Sequence, residues 1–333
     1  MAIILGIESS CDETSASVCI DGEINSNIIA TQAIHARYGG VVPELASRAH
    51  QQNIIPTVDQ AIQLAKITKN DVDAVAFTRG PGLLGSLLVG TSFAKSFALA
   101  RNIPLIEVNH MQAHILAHFI DNPKPSFPFL CLTVSGGHTQ IVLVKDYFEM
   151  ELIGQTLDDA AGEAFDKTAK ILNLPYPGGP LIDKYAQLGD ARAFQLPEPK
   201  IPNLNFSFSG LKTAILYLVQ DEIKKNPNFL VERINDLCAS VQDRIVTILL
   251  NKLKKAAKLT GVRDIAIAGG VSANSGLRHS LLAMGEMYKW NVFIPKFEYC
   301  TDNAAMIAIA GYHKYLKGDF VGQDIAPLAK MSV

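Results

Sequence analysis

The sequence has no excess of basic residues. Its 333 residues include 30 Lys+Arg against 32 Asp+Glu, which gives a net charge of −2 at pH 7. Proteins that hold nucleic acid mainly by electrostatic attraction are strongly basic, so the chain as a whole is excluded from that class and any nucleic acid must meet a local patch. With 48% apolar and 19% charged residues, the chain can form one large domain or two ordinary ones.

Paired cysteines and long apolar runs are also missing. The five cysteines are scattered and include no Cys-x-x-Cys pair, which argues against a disulfide framework or a thiolate zinc site and favours a reducing cytoplasm. No run of roughly 18 apolar residues is present, so we expect no membrane span. The segment from Met1 to Ile7 lacks the basic region of a signal peptide. We therefore expect a cytoplasmic protein with no membrane partner.

The common nucleotide-binding motifs Gly-x-Gly-x-x-Gly and Gly-x-x-x-x-Gly-Lys-Ser/Thr are absent, but one pattern occurs twice. An apolar run at 3–8, a small polar loop and a second apolar run at 16–20 return as runs at 129–134 and 140–144 around another such loop. Each copy predicts a hairpin. Two copies indicate two similar lobes, each with a loop whose backbone N–H groups can face an anion.

Strand and helix patterns alternate along the rest of the chain, which predicts a layered α/β architecture with mixed sheets flanked by helices. The predicted helices are 44–66, 83–100, 158–172, 235–259, 274–284 and 303–316, and the further predicted strands are 72–78, 105–108, 264–268 and 291–294. A segment rich in Pro and Gly at 174–180 and a polar stretch at 203–209 are interpreted as loops.

Three histidines, His110, His114 and His118, recur every fourth residue. Helical spacing would place them on one face, where imidazoles can share a metal ion, although histidines of an ordinary amphipathic helix have the same spacing. Asp302 is a candidate carboxylate ligand, but its place just before a predicted helix favours an N-cap from the local sequence. The zinc-protease motif needs a glutamate directly after the first histidine, and Met111 stands there.

Glycine pairs at 136–137, 178–179 and 269–270 would let the backbone approach a nucleotide closely, although each alone is typical of a tight turn. Acidic residues lie close to these turns and in the first loop. Asp166 and Asp183 are candidates for hydrogen bonds to ribose hydroxyls, and Asp12 and Glu13 for a metal–phosphate group; for each of the four, a solvated charge is the alternative.

Six segments together resemble the signatures of the bacterial TsaD family, the tRNA N6-adenosine threonylcarbamoyltransferases. They are IESSCDET at 7–14, RGPG at 79–82, NHMQAH at 109–114, VSGGHT at 134–139, GGVSAN at 269–274 and TDNAAM at 301–306. The resemblance runs from about residue 3 to 325 and implies the actin, Hsp70 and sugar-kinase (ASKHA) fold. We expect one lobe from 1–108 with 304–333, and a second from 109–303.

This resemblance implies transfer of the threonylcarbamoyl group from threonylcarbamoyl-AMP to N6 of adenosine 37 in tRNAs that read codons beginning with A. It implies one divalent metal held by His110, His114 and Asp302, either iron or zinc because both accept these ligands, with Glu13 and Asp12 among the catalytic residues. The residues implied at the substrate, a site expected to accept ATP or AMP as well, are Thr133, Val134, Ser135, Gly136 and Gly137 for the acyl-adenylate, Asp166, Gly179 and Asp183 for the ribose, and Gly269, Gly270 and Asn274 for the adenine.

The expected partners are the tRNA anticodon stem-loop, a TsaB paralogue and the ATPase TsaE, since the first loop has the bacterial Cys-Asp-Glu-Thr form. Gln112 and Ala113 stand where many members have Glu-Gly, which removes an acid but no ligand. The alternative function is an ASKHA ATPase or phosphotransferase in which Asp12 acts through magnesium. Paired imidazoles have no role in that chemistry. A non-catalytic scaffold would be expected to lack the metal ligands.

Overall fold

The computed structural model describes residues 1–332, which form ten strands and nine α-helices. The strands are β1 Ile3–Glu8, β2 Glu13–Ile20, β3 Glu23–Thr31, β4 Ala74–Gly80, β5 Leu105–Asn109, β6 Phe129–Val134, β7 Thr139–Asp146, β8 Glu149–Gln155, β9 Asp264–Ala268 and β10 Asn291–Phe293. The helices are α1 Pro43–Leu64, α2 Leu84–Arg101, α3 His110–Leu116, α4 Ala161–Ile171, α5 Gly178–Ala186, α6 Ser209–Lys225, α7 Phe229–Thr260, α8 Ser275–Tyr288 and α9 Ala304–Lys317.

The first unit is built on a sheet in the order β3-β2-β1-β4-β5, in which β1 pairs antiparallel with β2 and parallel with β4. Because side chains alternate along a strand, Ile3, Leu5 and Ile7 enter the apolar core shared with α1 and α2. The opposite face of β1 lies against α9, and the approach is closest at Gly6. Glu8 ends the strand on this second face, fully buried.

The second unit repeats this topology. Its sheet has the order β8-β7-β6-β9-β10, with β6 antiparallel to β7 and parallel to β9, so β6 takes the place that β1 has in the first sheet. The core combines Leu130 and Leu132 of β6 with apolar residues of α4, α6 and the long helix α7. The prediction of two similar lobes, each opening with a hairpin, is confirmed.

Several elements differ from the prediction. The strands β3 and β8 and the helix α6 were not predicted, and α5 begins inside the segment interpreted as a loop. Helix α7 begins at Phe229 rather than Asn235 and is interrupted by non-helical backbone at Arg233. The first turn of α7 nevertheless packs on the same core, since Phe229 is buried in the cluster that contains Leu237.

The two units divide at other residues than the expected lobes. Unit 1 contains residues 1–124 and the described residues from 295 onward, and unit 2 contains residues 125–294. The expected division at 108/109 would have placed α3 in the second lobe, but α3 follows β5 directly and packs against α9. Within residues 1–332, no helix combines the length and the apolar character that a membrane crossing requires.

Candidate functional site

The paired histidines are positioned by a helix that begins at the edge of the first sheet. Asn109 ends β5 and caps α3, because its Oδ1 accepts hydrogen bonds from the backbone N–H groups of Met111 (2.9 Å) and Gln112 (3.2 Å). His110 is the first residue of α3 and His114 lies one turn later, with their ring centroids 4.7 Å apart. Both imidazoles are buried. The helix thus presents two imidazoles to the same point.

Asp302 completes a group of three candidate ligands. Its Oδ1 lies 3.3 Å from Nε2 of His110 and 3.1 Å from Nε2 of His114, and the three ligand atoms lie within 4.8 Å of one another. The N-cap interpretation of Asp302 is wrong, because Asn303 caps α9 through a hydrogen bond from Met306 N–H to its Oδ1. His118 is buried beyond the end of α3 and is not a member of this group among residues 1–332.

The position of Asp302 is set by the way α9 is attached to the sheet. The backbone N–H of Ala304 donates to Oγ of Ser15 on β2 (2.8 Å), and that of Ala305 donates to Oδ1 of Asn27 on β3 (3.3 Å). Together with the cap, these bonds satisfy N–H groups that the first turn of a helix cannot pair internally. The start of α9, and with it the adjacent Asp302, is therefore fixed to two strands of the sheet.

Glu8 is a contact of the ligand group that the sequence did not predict. Its Oε2 lies 3.1 Å from Nδ1 of His110 and also accepts a hydrogen bond from the Thr78 hydroxyl (2.6 Å), while its Oε1 accepts one from the backbone N–H of Ser10. The sequence excluded a glutamate next to the paired histidines along the chain, yet the fold brings one to the far edge of the His110 ring. The sequence feature that could have identified Glu8 is its position as an acidic residue at the end of an otherwise apolar strand.

The electrostatics of this group favour a cation. Burial alone would keep the imidazole of His110 neutral, but the charges of Asp302 and Glu8 outweigh that effect and raise its pKa well above the ordinary value. Burial likewise opposes ionisation of Asp302, and the two imidazoles nevertheless hold the pKa of its carboxyl below the usual range. Both pKa shifts have the same cause: a positive charge at His110 is stabilised by the carboxylates of Glu8 and Asp302 on either side of it.

The loop at 9–12 between β1 and β2, with Glu13 directly after it, is called the acidic loop and carries two carboxyl groups, Asp12 and Glu13. Burial, assisted by the charges of Asp302 and Asp12, raises the pKa of Glu13 to about 9. Glu13 also shares a side-chain hydrogen bond with Asp12. His50 of α1 fixes the backbone of this loop through two hydrogen bonds. Its Nε2 donates to the carbonyl of Cys11 (3.0 Å), and its Nδ1 accepts from the Thr14 hydroxyl (2.7 Å).

The three ligands fit a divalent transition metal. Ion–ligand bonds of about 2.0–2.2 Å at tetrahedral angles separate neighbouring ligand atoms by roughly 3.3–3.5 Å, close to the distances of 3.1 and 3.3 Å from Oδ1 to the two nitrogens. Imidazole and carboxylate suit zinc and iron alike. The buried Nδ1 of His114 has no hydrogen-bond partner within the described residues, so the metal-facing Nε2 carries all of this side chain's polar contacts.

In unit 2, the loop between β6 and β7 offers free donors. The carbonyl of Ser135 accepts the N–H of Gly162, and a Cβ at Gly162 would lie 2.5 Å from that oxygen. Gly136 and Gly137 are exposed, and over residues 1–332 no backbone hydrogen bond from their N–H groups is found. Thr133 and Val134 are buried at the end of β6 just before the loop. The predicted anion cradle is thus backed by α4 and open on its other side.

The predicted ribose and adenine residues of unit 2 are linked by hydrogen bonds within the protein. Oδ1 of Asp166 accepts from the backbone N–H groups of Gly178 (2.8 Å) and Gly179 (3.2 Å), at the start of α5. Asp183 accepts from the N–H and the hydroxyl of Ser275, and this serine follows Asn274 directly. These carboxylates join α4 to α5 and α5 to α8.

The third glycine pair lies close to the end of β6. Gly269 has a φ of +84°, and a Cβ there would lie 2.5 Å from the carbonyl oxygen of Val134, so β6 and the turn before α8 meet at van der Waals distance. Gly270 has open space beside it. The side chain of Asn274 caps α8 by accepting from Leu277 N–H and donates to Gln242 Oε1 (2.7 Å).

Comparison with known proteins decides the family. The family model described as TsaD, tRNA N6-adenosine threonylcarbamoyltransferase, matches residues 23–309. The chain belongs to this family. Among relatives that carry the same name, the protein of Christiangramia forsetii is 67% identical over 95% of this chain and 94% of its own length. The protein of Porphyromonas gingivalis is 56% identical over 99% of this chain and 98% of its own length.

Membership of the TsaD family makes the chain an acyltransferase that modifies tRNA, which confirms the expected activity class. The fold agrees. The (R)-2-hydroxyglutaryl-CoA dehydratase component A of Acidaminococcus fermentans aligns with 95% of this chain and all of its own, with a TM-score of 0.54 at 16% identity. Full-length HypF aligns with 96% of this chain and 47% of its own, with a TM-score of 0.62 at 14% identity. These likenesses support the ASKHA fold alone.

Proposed function

We propose that the chain transfers a threonylcarbamoyl group from threonylcarbamoyl-AMP to N6 of adenosine 37 in tRNAs that read codons beginning with A. The observation that carries the proposal is the convergence of His110, His114 and Asp302 in a member of the TsaD family. Such a donor is already activated as a mixed anhydride. The protein's tasks are therefore to orient the two substrates and to stabilise developing charge.

In unit 1, His110, His114 and Asp302 would hold one iron or zinc ion. When bound, such an ion supplies a Lewis acid for the carbonyl oxygen, which gains negative charge as the amine attacks. The protein's own contribution is to keep both imidazoles facing one carboxylate oxygen in a buried setting. Neither a second helix nor a flexible loop has to move to bring the two nitrogens together, because both belong to α3.

We assign the binding of the nucleotide part of the donor to residues of unit 2. The exposed N–H groups of Gly136 and Gly137 would bind the phosphate, with Thr133, Val134 and Ser135 forming the base of the loop. Asp166 and Gly179 are assigned to the ribose together with Asp183, because each carboxylate has acceptor positions beyond those used by the protein. Gly269, Gly270 and Asn274 are assigned to the adenine, because the open space beside Gly270 would allow a flat ring to approach. ATP or AMP would use the same cradle.

We assign proton handling to Asp12 and Glu13. The carboxyl of Glu13, with its pKa raised to about 9 by burial, is still protonated at neutral pH and could donate that proton. Proton transfer is most efficient when the pKa of the group lies close to the working pH. The pair would exchange a proton with the reacting groups and return it.

We also propose the partners and the setting of the reaction. The anticodon stem-loop of tRNA would present adenosine 37 unstacked, because an enzyme that acts on a base must take it out of the stack. A TsaB paralogue and the ATPase TsaE would assist, in the bacterial cytoplasm. Because the chain has a net charge of −2, we propose that a partner contributes part of the basic surface that binds tRNA.

The test is to supply threonylcarbamoyl-AMP and an unmodified tRNA transcript to the purified chain, alone and with the two partners, and to analyse the nucleosides by mass spectrometry. We expect the modified nucleoside in the complete mixture and none with His110→Ala or His114→Ala. His279→Ala, which removes an exposed histidine of α8, is the control and should retain full activity.

Elemental analysis of the same preparations tests the metal separately. We expect about one iron or zinc per parent chain, and less than a tenth of that in the two alanine variants. A metal-free chain that remains fully active after treatment with a chelator would overturn the metal assignment while leaving the transferase proposal intact.

A further inference from the structure

The fully buried carboxylate of Glu8 lies behind the ligand group and contacts none of the reacting positions assigned above. It accepts hydrogen bonds from the backbone N–H of Ser10, the hydroxyl of Thr78 and the ring of His110. The Ser10 hydroxyl is a further partner, and it also lies 3.2 Å from Nδ1 of His110. These donors come from residues 10, 78 and 110, in three separate segments of unit 1. A buried carboxylate is costly unless its acceptor positions are filled, and here every partner is an internal group.

We propose that Glu8 is a positioning residue that keeps the proton of His110 on Nδ1, so that Nε2 presents its lone pair to the metal. Two groups face Nδ1: the carboxylate of Glu8, which can only accept when ionised, and the hydroxyl of Ser10 (3.2 Å), which can accept or donate. Nδ1 of His110, 3.1 Å from Oε2, must then be the nitrogen that donates. Nε2, on the other edge of the ring, faces Oδ1 of Asp302. This inference rests on the metal site proposed above.

The backbone determines what a glutamine would do in place of Glu8. Ser10 N–H can only donate, so the amide oxygen of Glu8→Gln must take the position of Oε1. The amide NH₂ is thereby turned toward Thr78 and His110. A hydroxyl can accept from it, but His110 can accept only if Nδ1 gives up its proton, which moves the proton of the neutral ring to Nε2. The variant therefore keeps the volume of Glu8, and it either reverses the tautomer of His110 or leaves Nδ1–H with the Ser10 hydroxyl alone (3.2 Å). In both cases the carboxylate no longer holds the proton on Nδ1.

The first measurement is the affinity of the chelator-treated full chain for Zn²⁺, by competition with a coloured chelator at pH 7.5. Removing the carboxylate partner of a ligating imidazole typically lowers metal affinity about 10–100-fold, and we expect a loss in that range for Glu8→Gln. The matched control is Glu107→Gln, the same chemical change at a carboxylate of β5 that pairs with Arg79. We expect it to bind Zn²⁺ within twofold of the parent. Equal affinity of the parent and Glu8→Gln overturns the inference.

The second measurement follows the tautomer itself and needs no variant. In the Zn²⁺-loaded parent labelled with ¹⁵N-histidine, we expect a slowly exchanging Nδ1–H signal for His110, assigned by its loss in His110→Ala. Its absence, or an Nε2–H signal from His110, overturns the inference even if Glu8→Gln fails to fold. A parent chain that binds no Zn²⁺ would instead count against the metal site, so the two failures are distinguishable.

Discussion

His50 is a buried imidazole whose hydrogen bonds are satisfied in the neutral state. Nε2 then donates to the carbonyl of Cys11 and Nδ1 accepts from the hydroxyl of Thr14. Burial lowers its pKa below the ordinary value of 6.5, despite the opposing effect of the Cys11 carbonyl. The native state therefore binds a proton at His50 less readily than the unfolded chain does.

We expect His50 to make the chain less stable in mild acid. Because the unfolded state takes up the proton near pH 6.5 and the native state only at lower pH, the free energy of unfolding should fall as the pH drops below about 6.5. The measurement is urea unfolding of chelator-treated protein between pH 7.5 and 5, for the parent and for His50→Gln. The difference in free energy between the two proteins should shrink toward acid; a difference that is constant over this range would contradict the expectation.

Individual residues also show which parts of the candidate site could be predicted from the sequence alone. The histidine pair was predictable because its spacing is local, four residues on one helix. Glu8 was not, because its partners Thr78 and His110 are 70 and 102 residues away along the chain. The cap of α9 was misassigned by one residue, since Asp302 and Asn303 both have side chains that cap helices well. Only the fold shows that Asn303 turns back to the helix while Asp302 faces the histidines.

Among the elements, β1 and α9 pack closely against each other next to the ligand group. A Cβ at Gly6 would lie 2.7 Å from the carbonyl oxygen of Ala304 and from the backbone nitrogen of Ala308. Both are backbone atoms of α9, so they cannot move without moving the helix. The helix begins two residues after Asp302, and its displacement would pull that carboxylate away from the imidazoles.

Gly6→Ala should consequently weaken both the fold and the metal site. Overpacking of this kind costs about 1–3 kcal/mol, and we expect a lower midpoint of urea unfolding together with a severalfold loss of Zn²⁺ affinity. The control is Gly210→Ala in α6, where a Cβ meets nothing within 4 Å. Alanine is preferred over glycine in a helix by roughly 0.5–1 kcal/mol, so this variant should be as stable as the parent or more so. A Gly6→Ala protein with unchanged midpoint and affinity would refute the argument.

The elements that escaped prediction did so for identifiable reasons. Helix α6 has Leu211, Ile215 and Val219 buried at intervals of four, a helical signal that the sequence contained and that was passed over. Helix α5 starts with two glycines and a proline, residues that read as a loop, and Asp166 of α4 stabilises that start from a distant segment. Strands β3 and β8 are partly exposed edge strands, and exposure weakens the apolar alternation by which strands are recognised.

At the scale of the whole molecule, the two repeated units carry different sets of candidate site residues. The candidate metal ligands, Glu8 and the acidic loop all belong to unit 1, whereas the loop after β6, Asp166, Asp183 and Asn274 belong to unit 2. The repeated hairpin was visible because it recurs as a pattern of residue types. The assignment of different chemistry to each copy depended on the histidines, which occur as a spaced pair in one copy only.

We expect ligands to stabilise the two units selectively. A ligand at 100 times its dissociation constant stabilises the state that binds it by about 2.7 kcal/mol, and hydrogen exchange reports where that stabilisation acts. Zn²⁺ should slow exchange chiefly in peptides from residues 1–124 and 295–332, and AMP chiefly in peptides from 125–294. The readout is deuterium uptake by mass spectrometry, with each ligand added alone. Protection by Zn²⁺ confined to 125–294 would be incompatible with the proposed site.

The bonds that tie α9 to Ser15 and Asn27 have a consequence during translation. Asp302 is 188 residues beyond His114, and a ribosome adding about 5–20 residues per second needs roughly 10–40 s to cover that distance. Throughout this interval the nascent chain holds two imidazoles without their carboxylate, and β1 without the helix that covers one of its faces. All of unit 2 is synthesised in the meantime, so the half of the enzyme that emerges first is the last to become complete.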